Sequence, residues 1–396
     1  MQTSIGKRYN FKTILLIIGI IFVAFNLRPS ITAVGPLISD IRSDTGMSNS
    51  LAGMLTTLPL LAFAGLSILT PKIAQKFGNE ITILFGLILL AIGTFVRPTD
   101  LVSLLFFGTL LIGSGIAICN VLLPGIIKQK FALQVGLMTG IYTLAMSGAA
   151  SIASGVSVPL AHGLNFGWQG SLAFWGILTV IAFIIWLPQL RRNGESKKQQ
   201  AANPTNSSVW SSKLAWQVTL FMGLQSFLFY CLVAWLPEIL HSGGMSLALS
   251  GWMVSLMQIV GLPSTIIAPY LAGRLTNQKP IMVVVGILYL IGFIFLLIGG
   301  HISIVLVSVL LLGVAQGATI GLSLTFLSLR ARDSKQAANL SGMAQSIGYL
   351  LAAVGPFIVG YLFDLTTSWD LPIMIMLSVC VVMMFFGMKA GRNAYV

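Results

Sequence analysis

Long apolar stretches separated by short polar breaks set the pattern of this chain. Between charged or turn-rich breaks, apolar runs fall at 13–36, 51–73, 81–96, 101–127, 133–161 and 169–190, and again at 215–239, 249–273, 280–299, 302–329, 338–363 and 371–388. A helix of roughly 20 apolar residues crosses a ~30 Å hydrocarbon core, whereas a membrane β-barrel shows segments of about 10 alternating residues. The predicted fold class is therefore all-α integral membrane, with twelve transmembrane helices. Composition agrees: 56% of the 396 residues are hydrophobic and 8% charged, against about 25% charged in soluble domains. The first run follows Lys7, Arg8 and Lys12, is too long for a signal peptide, and has no small-residue cleavage site after it, so it is expected to be a retained span.

The net charge of +13 raises nucleic acid as a partner, and the placement of the charges argues against it. With loops assigned alternately to the two faces of the membrane, nineteen of the 22 Lys and Arg fall on the side of the N-terminus. Only Arg42 and Arg97 fall on the other side, and Arg28 lies within a span. Cytoplasmic loops carry the Lys/Arg excess, so a multi-pass protein of the cytoplasmic membrane with both termini cytoplasmic is expected. Trp168, Trp235 and Trp369 at outer span ends, and Trp186 and Trp216 at inner ones, suggest interfacial aromatic belts. Cys119, Cys231 and Cys380 all fall inside spans and have no metal-ligand spacing, so they read as packing residues. No metal and no cofactor are expected.

The longest polar stretch, Arg191 to Lys213, separates six runs from six. The expected organisation is an N-terminal six-helix half at 1–190, a flexible cytoplasmic linker at 191–213 and a C-terminal six-helix half at 214–396. A short repeat supports duplication: GMSNSLAG at Gly46 to Gly53 recurs as GMSLALSG at Gly244 to Gly251, each at the start of the second span of its half. The spans also alternate in polarity. The third, sixth, ninth and twelfth are almost free of amides and charges and can face lipid. The first (Asn26, Arg28, Thr32), fourth (Asn120), seventh (Gln225, Tyr230) and tenth (Gln316, Thr319) carry polar groups that should face a shared interior.

This arrangement of two six-span halves, a central loop and both ends on one side resembles the major facilitator superfamily. Within it, NLRPSITAVGPL from Asn26, LTTLPLLAF from Leu55, GIAICNVLLPGIIK from Gly115, LAWQVTLF from Leu214 and LSGMAQSIGYLLAA from Leu340 resemble the cyanate and 2-nitroimidazole transporter branch. The resemblance implies two pseudo-symmetric halves that alternate access to a midplane site. It also implies a gating loop between spans two and three, where Lys76 and Gly78 of IAQKFGNE fit but Gln75 stands in place of the usual Asp.

Arg28 draws the most attention. It lies 16 residues after Lys12 and 12 before Asp40, ~24 Å and ~18 Å along a helix at 1.5 Å per residue, too deep to reach headgroups with about 6 Å of side-chain stem. All nine acidic residues and all three histidines lie in loops or at span ends, so no intramembrane carboxylate compensates it. Pro29 removes a helical hydrogen bond and disfavours helical geometry at Arg28, which points to a break that lines a cavity. Arg28, Thr32 and Gly35 share a helix face, expected to line an aqueous interior. A guanidinium there suits a small anion or a planar molecule with electron-rich oxygens.

Further candidate substrate contacts are Asn120, one turn before Pro124; Gln345 and Tyr349, which with Ser341 form a stripe at spacing four; and Tyr142, Gln225, Tyr230, Gln258 and Gln316. The expected function is a secondary transporter of a small anion or nitro/imidazole-like solute, and no P-loop suggests ATP use. With no intramembrane acid or histidine to carry a proton, uniport, exchange or coupling through the substrate's own protonation is expected. The competing expectation is an exporter of neutral amphiphilic compounds in which Arg28 is structural. An intramembrane enzyme would need catalytic groups at depth, and none is present. The expected partners are the lipid bilayer and a small-molecule or small-anion substrate, with no nucleic acid, and the chain is expected to act as a monomer.

Overall fold

The computed structural model describes residues 11–99, 101–131, 135–192, 209–332 and 334–396. Most of the expected linker, 193–208, lies outside the described residues. Among those described, 12 helical spans are long and apolar enough to cross a membrane. The all-α expectation holds. Most spans coincide with the apolar runs to within a few residues, but the first runs on to Thr45, and the membrane-length stretches of the second and fifth end at Ser67 and begin at Gly140, within the longer helices Asn49–Phe77 and Val135–Val158.

Burial follows the polarity pattern. The apolar window of the seventh span, Lys213–Ser242, is 94% buried, against 39% for the ninth, Lys279–Ile298, and 33% for the twelfth, Asp370–Ala390. The plain spans turn Ile88, Ile92, Ile184, Val284, Ile291 and Phe385 outward, as side chains do that lie in lipid at no hydrophobic cost. The tryptophans differ from the belt expectation. Trp168, Trp186, Trp235 and Trp369 are buried between helices, and only Trp216 among those five is exposed. Three of the buried indoles donate their N–H inside the bundle: Trp168 to the Asp44 carboxylate at 2.7 Å, Trp186 to the Glu80 carbonyl at 2.9 Å and Trp235 to the Pro356 carbonyl at 2.8 Å. A large ring with one donor serves equally at an interface and at a helix crossing that offers an acceptor, which is why position alone misplaced them.

The repeat acquires a physical meaning. Gly46 (φ +69°) and Gly244 (φ +95°) both take left-handed backbone that side chains resist. Ser48 then accepts from the Leu51 N–H, and Ser246 from the Leu249 N–H, each at 3.3 Å, as N-caps of spans two (Asn49–Phe77) and eight (Leu247–Arg274). At the far end of each copy a glycine meets the other half of the molecule: Gly53 the Pro356 carbonyl, Gly251 the Ser154 carbonyl. The eight residues thus encode a turn, a cap and a crossing point, twice.

The halves meet mainly at the end remote from the termini. Span two is joined to span eleven, Ser334–Thr366, at Asn49, Ser50 and Thr57 in its first half and at Ala64 near its middle. Span five, Val135–Val158, is joined to span eight through Ser151 and the Ser255 carbonyl at 2.9 Å and through Ser154 and Gln258 at 3.0 Å. An ion pair links Arg42 and Glu238 across the same end at 3.7 Å. Toward the termini, Gly65, Gly140, Gly273 and Gly342 have no neighbour within 4 Å of where a Cβ would stand. Among the described residues, the hydrogen bonds between the halves thus gather toward the end remote from the termini.

Candidate functional site

The first span is broken where the sequence places Arg28. Helix Phe11–Phe25 ends, residues 26–28 form a turn with Arg28 at φ −130°, and short helical segments resume at Pro29–Thr32, Gly35–Leu37 and Ile38–Thr45. Pro29 cannot donate to the helix, so carbonyls on both sides of the break need other partners. Asn26 supplies one: its Nδ2 donates to the Phe22 carbonyl at 2.7 Å and to the Leu178 carbonyl at 3.2 Å, while its Oδ1 accepts from Thr179 at 2.7 Å. Arg97 supplies another, its Nη1 donating to the Ser30 carbonyl at 2.6 Å. Arg97 is 1% exposed, with Nε and Nη2 unpartnered among the described residues. The charge count assigns it to an outer loop, but in the fold it is a buried clamp on the broken span.

Arg28 differs from Arg97 in every respect. It is half-buried, its guanidinium has no hydrogen-bond or ion-pair partner among the described residues, and its Cζ lies 4.5 Å from the centre of the Phe229 ring. It lines a small crevice of about 30 Å³, partly open to solvent, together with Ser147, Phe229, Met257, Gln258, Thr265, Gln316 and several glycines and apolar residues of spans eight and ten. That is about the volume of one water molecule, well below the roughly 300–1,000 Å³ usual for ligand sites. The lining contains no carboxylate, so the fixed charge of the crevice is positive. Tyr142, Tyr230 and Tyr349 all lie within electrostatic reach of Arg28, and Tyr349 packs edge-on against Phe63 with centroids 5.4 Å apart.

The remaining candidates are placed differently. Gln316 is 3% exposed with an unpartnered amide nitrogen, and it belongs to the crevice. Gln225 is buried, donating to Ser226 at 2.7 Å with its Oε1 unpartnered. Gln345 donates to Ser341 at 2.9 Å along its own helix, and Asn120 is half-buried without a hydrogen bond among the described residues. Thr32 does not line the crevice. It is 1% exposed, and its hydroxyl lies 3.3 Å from the Arg28 carbonyl and 3.1 Å from the Ala150 carbonyl. Gly35 packs against the Val233 carbonyl. The break at residues 26–28 rotates the remainder of the span, so a face counted at uniform helical spacing does not survive it. At the expected gating loop, Lys76 is exposed over the Phe77 ring and Gly78 joins two helices at φ +95°.

Against known proteins, the sequence profile of the Major Facilitator Superfamily matches residues 14–356. The chain belongs to the major facilitator superfamily. It is 52% identical over 381 residues to the uncharacterized transporter YycB of Bacillus subtilis, covering 96% of this chain and 94% of that one. It is 41% identical over 382 residues to the 2-nitroimidazole transporter of Escherichia coli, covering 96% of each, and 26% identical over 359 residues to the cyanate transport protein CynX of the same organism, covering 89% of this chain and 91% of that one. Among solved structures, the nucleoside transporter NupG superposes with a TM-score of 0.78 at 14% identity, over 95% of this chain and 99% of that one. The inward-open xylose transporter XylE of E. coli superposes at 0.74 and 14%, over 95% and 96%.

As a member of this superfamily the protein is a multi-pass transporter and not an enzyme, with the two pseudo-symmetric halves that the superfamily fold entails. The superfamily frame also accounts for Gly261, Gly313 and Gly317, where spans eight and ten cross with backbones in contact. That contact is what draws Gln258 and Gln316 to the same crevice wall.

Proposed function

We propose that the protein moves a small anion or a nitro/imidazole-like solute across the cytoplasmic membrane by alternating access, with Arg28 as the central cationic contact. The observation that carries this is the guanidinium of Arg28, half-exposed in the interhalf crevice with no hydrogen-bond or ion-pair partner among the described residues, above the Phe229 ring. Arg97, the buried structural arginine, clamps a carbonyl at Ser30, whereas the Arg28 guanidinium clamps none among the described residues. A planar fork over an aromatic face suits flat ligands with oxygens at one edge. The names of the relatives, a 2-nitroimidazole transporter and a cyanate transport protein, lie in this chemical range. With nineteen of 22 basic residues on the terminus-bearing side, both termini are cytoplasmic in this reading.

The test is equilibrium binding of 2-nitroimidazole and cyanate to purified protein, compared with Arg28→Lys and Arg28→Gln. The expected result is saturable binding weakened at least about tenfold in both variants, with folded yield retained, since lysine has neither the fork nor the flat face. Unchanged affinity in folded Arg28→Gln would overturn the assignment.

A further inference from the structure

Gln258 lines the same crevice as Arg28, and its hydrogen-bond partner favours one orientation of its amide. Its Nε2 is 3.0 Å from the Ser154 hydroxyl. That hydroxyl also lies 3.3 Å from the Thr32 carbonyl and 3.2 Å from the Ala150 carbonyl. A hydroxyl has one proton, and carbonyl oxygens only accept. The Ser154 proton is therefore committed to those carbonyls, and the bond with Gln258 forms only if the amide NH₂ donates and the hydroxyl accepts. A flipped amide would meet an acceptor unless the hydroxyl gave up both carbonyls.

The Oε1 of Gln258 is consequently turned away from Ser154, and it has no donor among the described residues. Gln258 is 8% exposed, and what it exposes opens on the crevice. The crevice thus holds a fixed cation at Arg28 and a fixed neutral acceptor at Gln258. Gln316 lines the same crevice with an amide nitrogen that has no partner among the described residues, so its amide is free to turn toward either kind of group.

We infer that Gln258 is a specificity-determining residue that accepts a hydrogen bond from an N–H or O–H of the ligand, while Arg28 holds the ligand's acceptor edge. The substrate class is then narrower than anions: small planar molecules carrying both a carboxylate- or nitro-type group and a separate donor. This rests on the reading of Arg28 as a ligand contact.

Two ligand pairs that differ by one donor test it on the full chain in lipid nanodiscs: 2-nitroimidazole with its N1-methyl derivative, and 4-hydroxybenzoate with 4-methoxybenzoate. In the wild type, the donor-bearing member of at least one pair is expected to bind about tenfold or more tightly, as for a buried acceptor left unmet. In Gln258→Met the preference falls to within about twofold because only the donor-bearing ligand weakens. Steric exclusion of the methyl group would instead persist in that variant. Ser154→Ala frees the amide to flip and lowers the preference, while affinity for the methylated ligand is unchanged; a packing role alone would lower both ligands together. A preference that survives in Gln258→Met, or an absence of preference in the wild type, overturns the inference and leaves the Arg28 reading standing. Absence of saturable binding by all four ligands, or affinities unchanged in Arg28→Gln, overturns that reading and this one with it.

Discussion

The carboxylate of Asp364 in span eleven accepts two hydrogen bonds from Asn49 at the start of span two, at 3.0 Å from the backbone nitrogen and 2.7 Å from Nδ2. A third comes from the Ser50 N–H at 2.8 Å. One half of the molecule thus supplies the anion that the first turn of a helix in the other half requires.

Asp364→Asn keeps the shape and removes the charge, and it is expected to loosen this closure by about 1–3 kcal/mol, the usual contribution of hydrogen bonds to a charged group. Spin labels on Ser43→Cys and Ser242→Cys, at the ends of the two halves remote from the termini, should then report a larger long-distance population. An unchanged distance distribution would show that the closure rests on packing alone.

Thr32→Val removes a hydroxyl that serves two carbonyls and keeps the side-chain shape. Ligand affinity is expected to stay within about twofold, while the midpoint of thermal unfolding falls by an amount corresponding to about 1 kcal/mol. Loss of affinity comparable to that of Arg28→Gln would put the hydroxyl at the ligand.

The duplicated turn predicts paired costs. Gly46→Ala and Gly244→Ala should each destabilise by roughly 1–2 kcal/mol, because both force a side chain into left-handed backbone. Ser48→Ala and Ser246→Ala should each lose about 1 kcal/mol of capping. Thermal unfolding of the four variants decides it, and a cost confined to one copy would refute equal roles.

Two glycines with opposite surroundings give a contrast. Gly317→Ala drives a methyl into the Gly261 carbonyl at the crossing of spans eight and ten, and folded yield should drop. Gly65→Ala meets nothing within 4 Å and should be neutral or stabilising by up to about 1 kcal/mol through helix propensity. Fluorescence-detected size exclusion reads both.

The spans and their order were legible because lipid leaves the chain little choice: apolar length and polar breaks decide them. The break at Pro29 was legible for the same reason, since a missing N–H is a property of one residue. What escaped was everything that depends on rotation about a break or on a partner far along the chain. Thr32 turned from crevice to packing because residues 26–28 reset the helical phase. Arg97 read as a loop charge because nothing near it in sequence announces the Ser30 carbonyl, 67 residues away. The orientation of Gln258 depends on Ser154, 104 residues earlier, and no spacing rule reaches that far.

Arg28 is carried by the first half of the molecule, pinned there by Asn26 and Arg97, whereas Gln258 and Gln316 ride on the second. If the proposed reading holds, a ligand between them would be a strut joining the two halves, and its length would set how far they could close around it. Solutes too short would leave the halves unbridged and longer ones would wedge them apart, so that selection by size would follow from the closure itself.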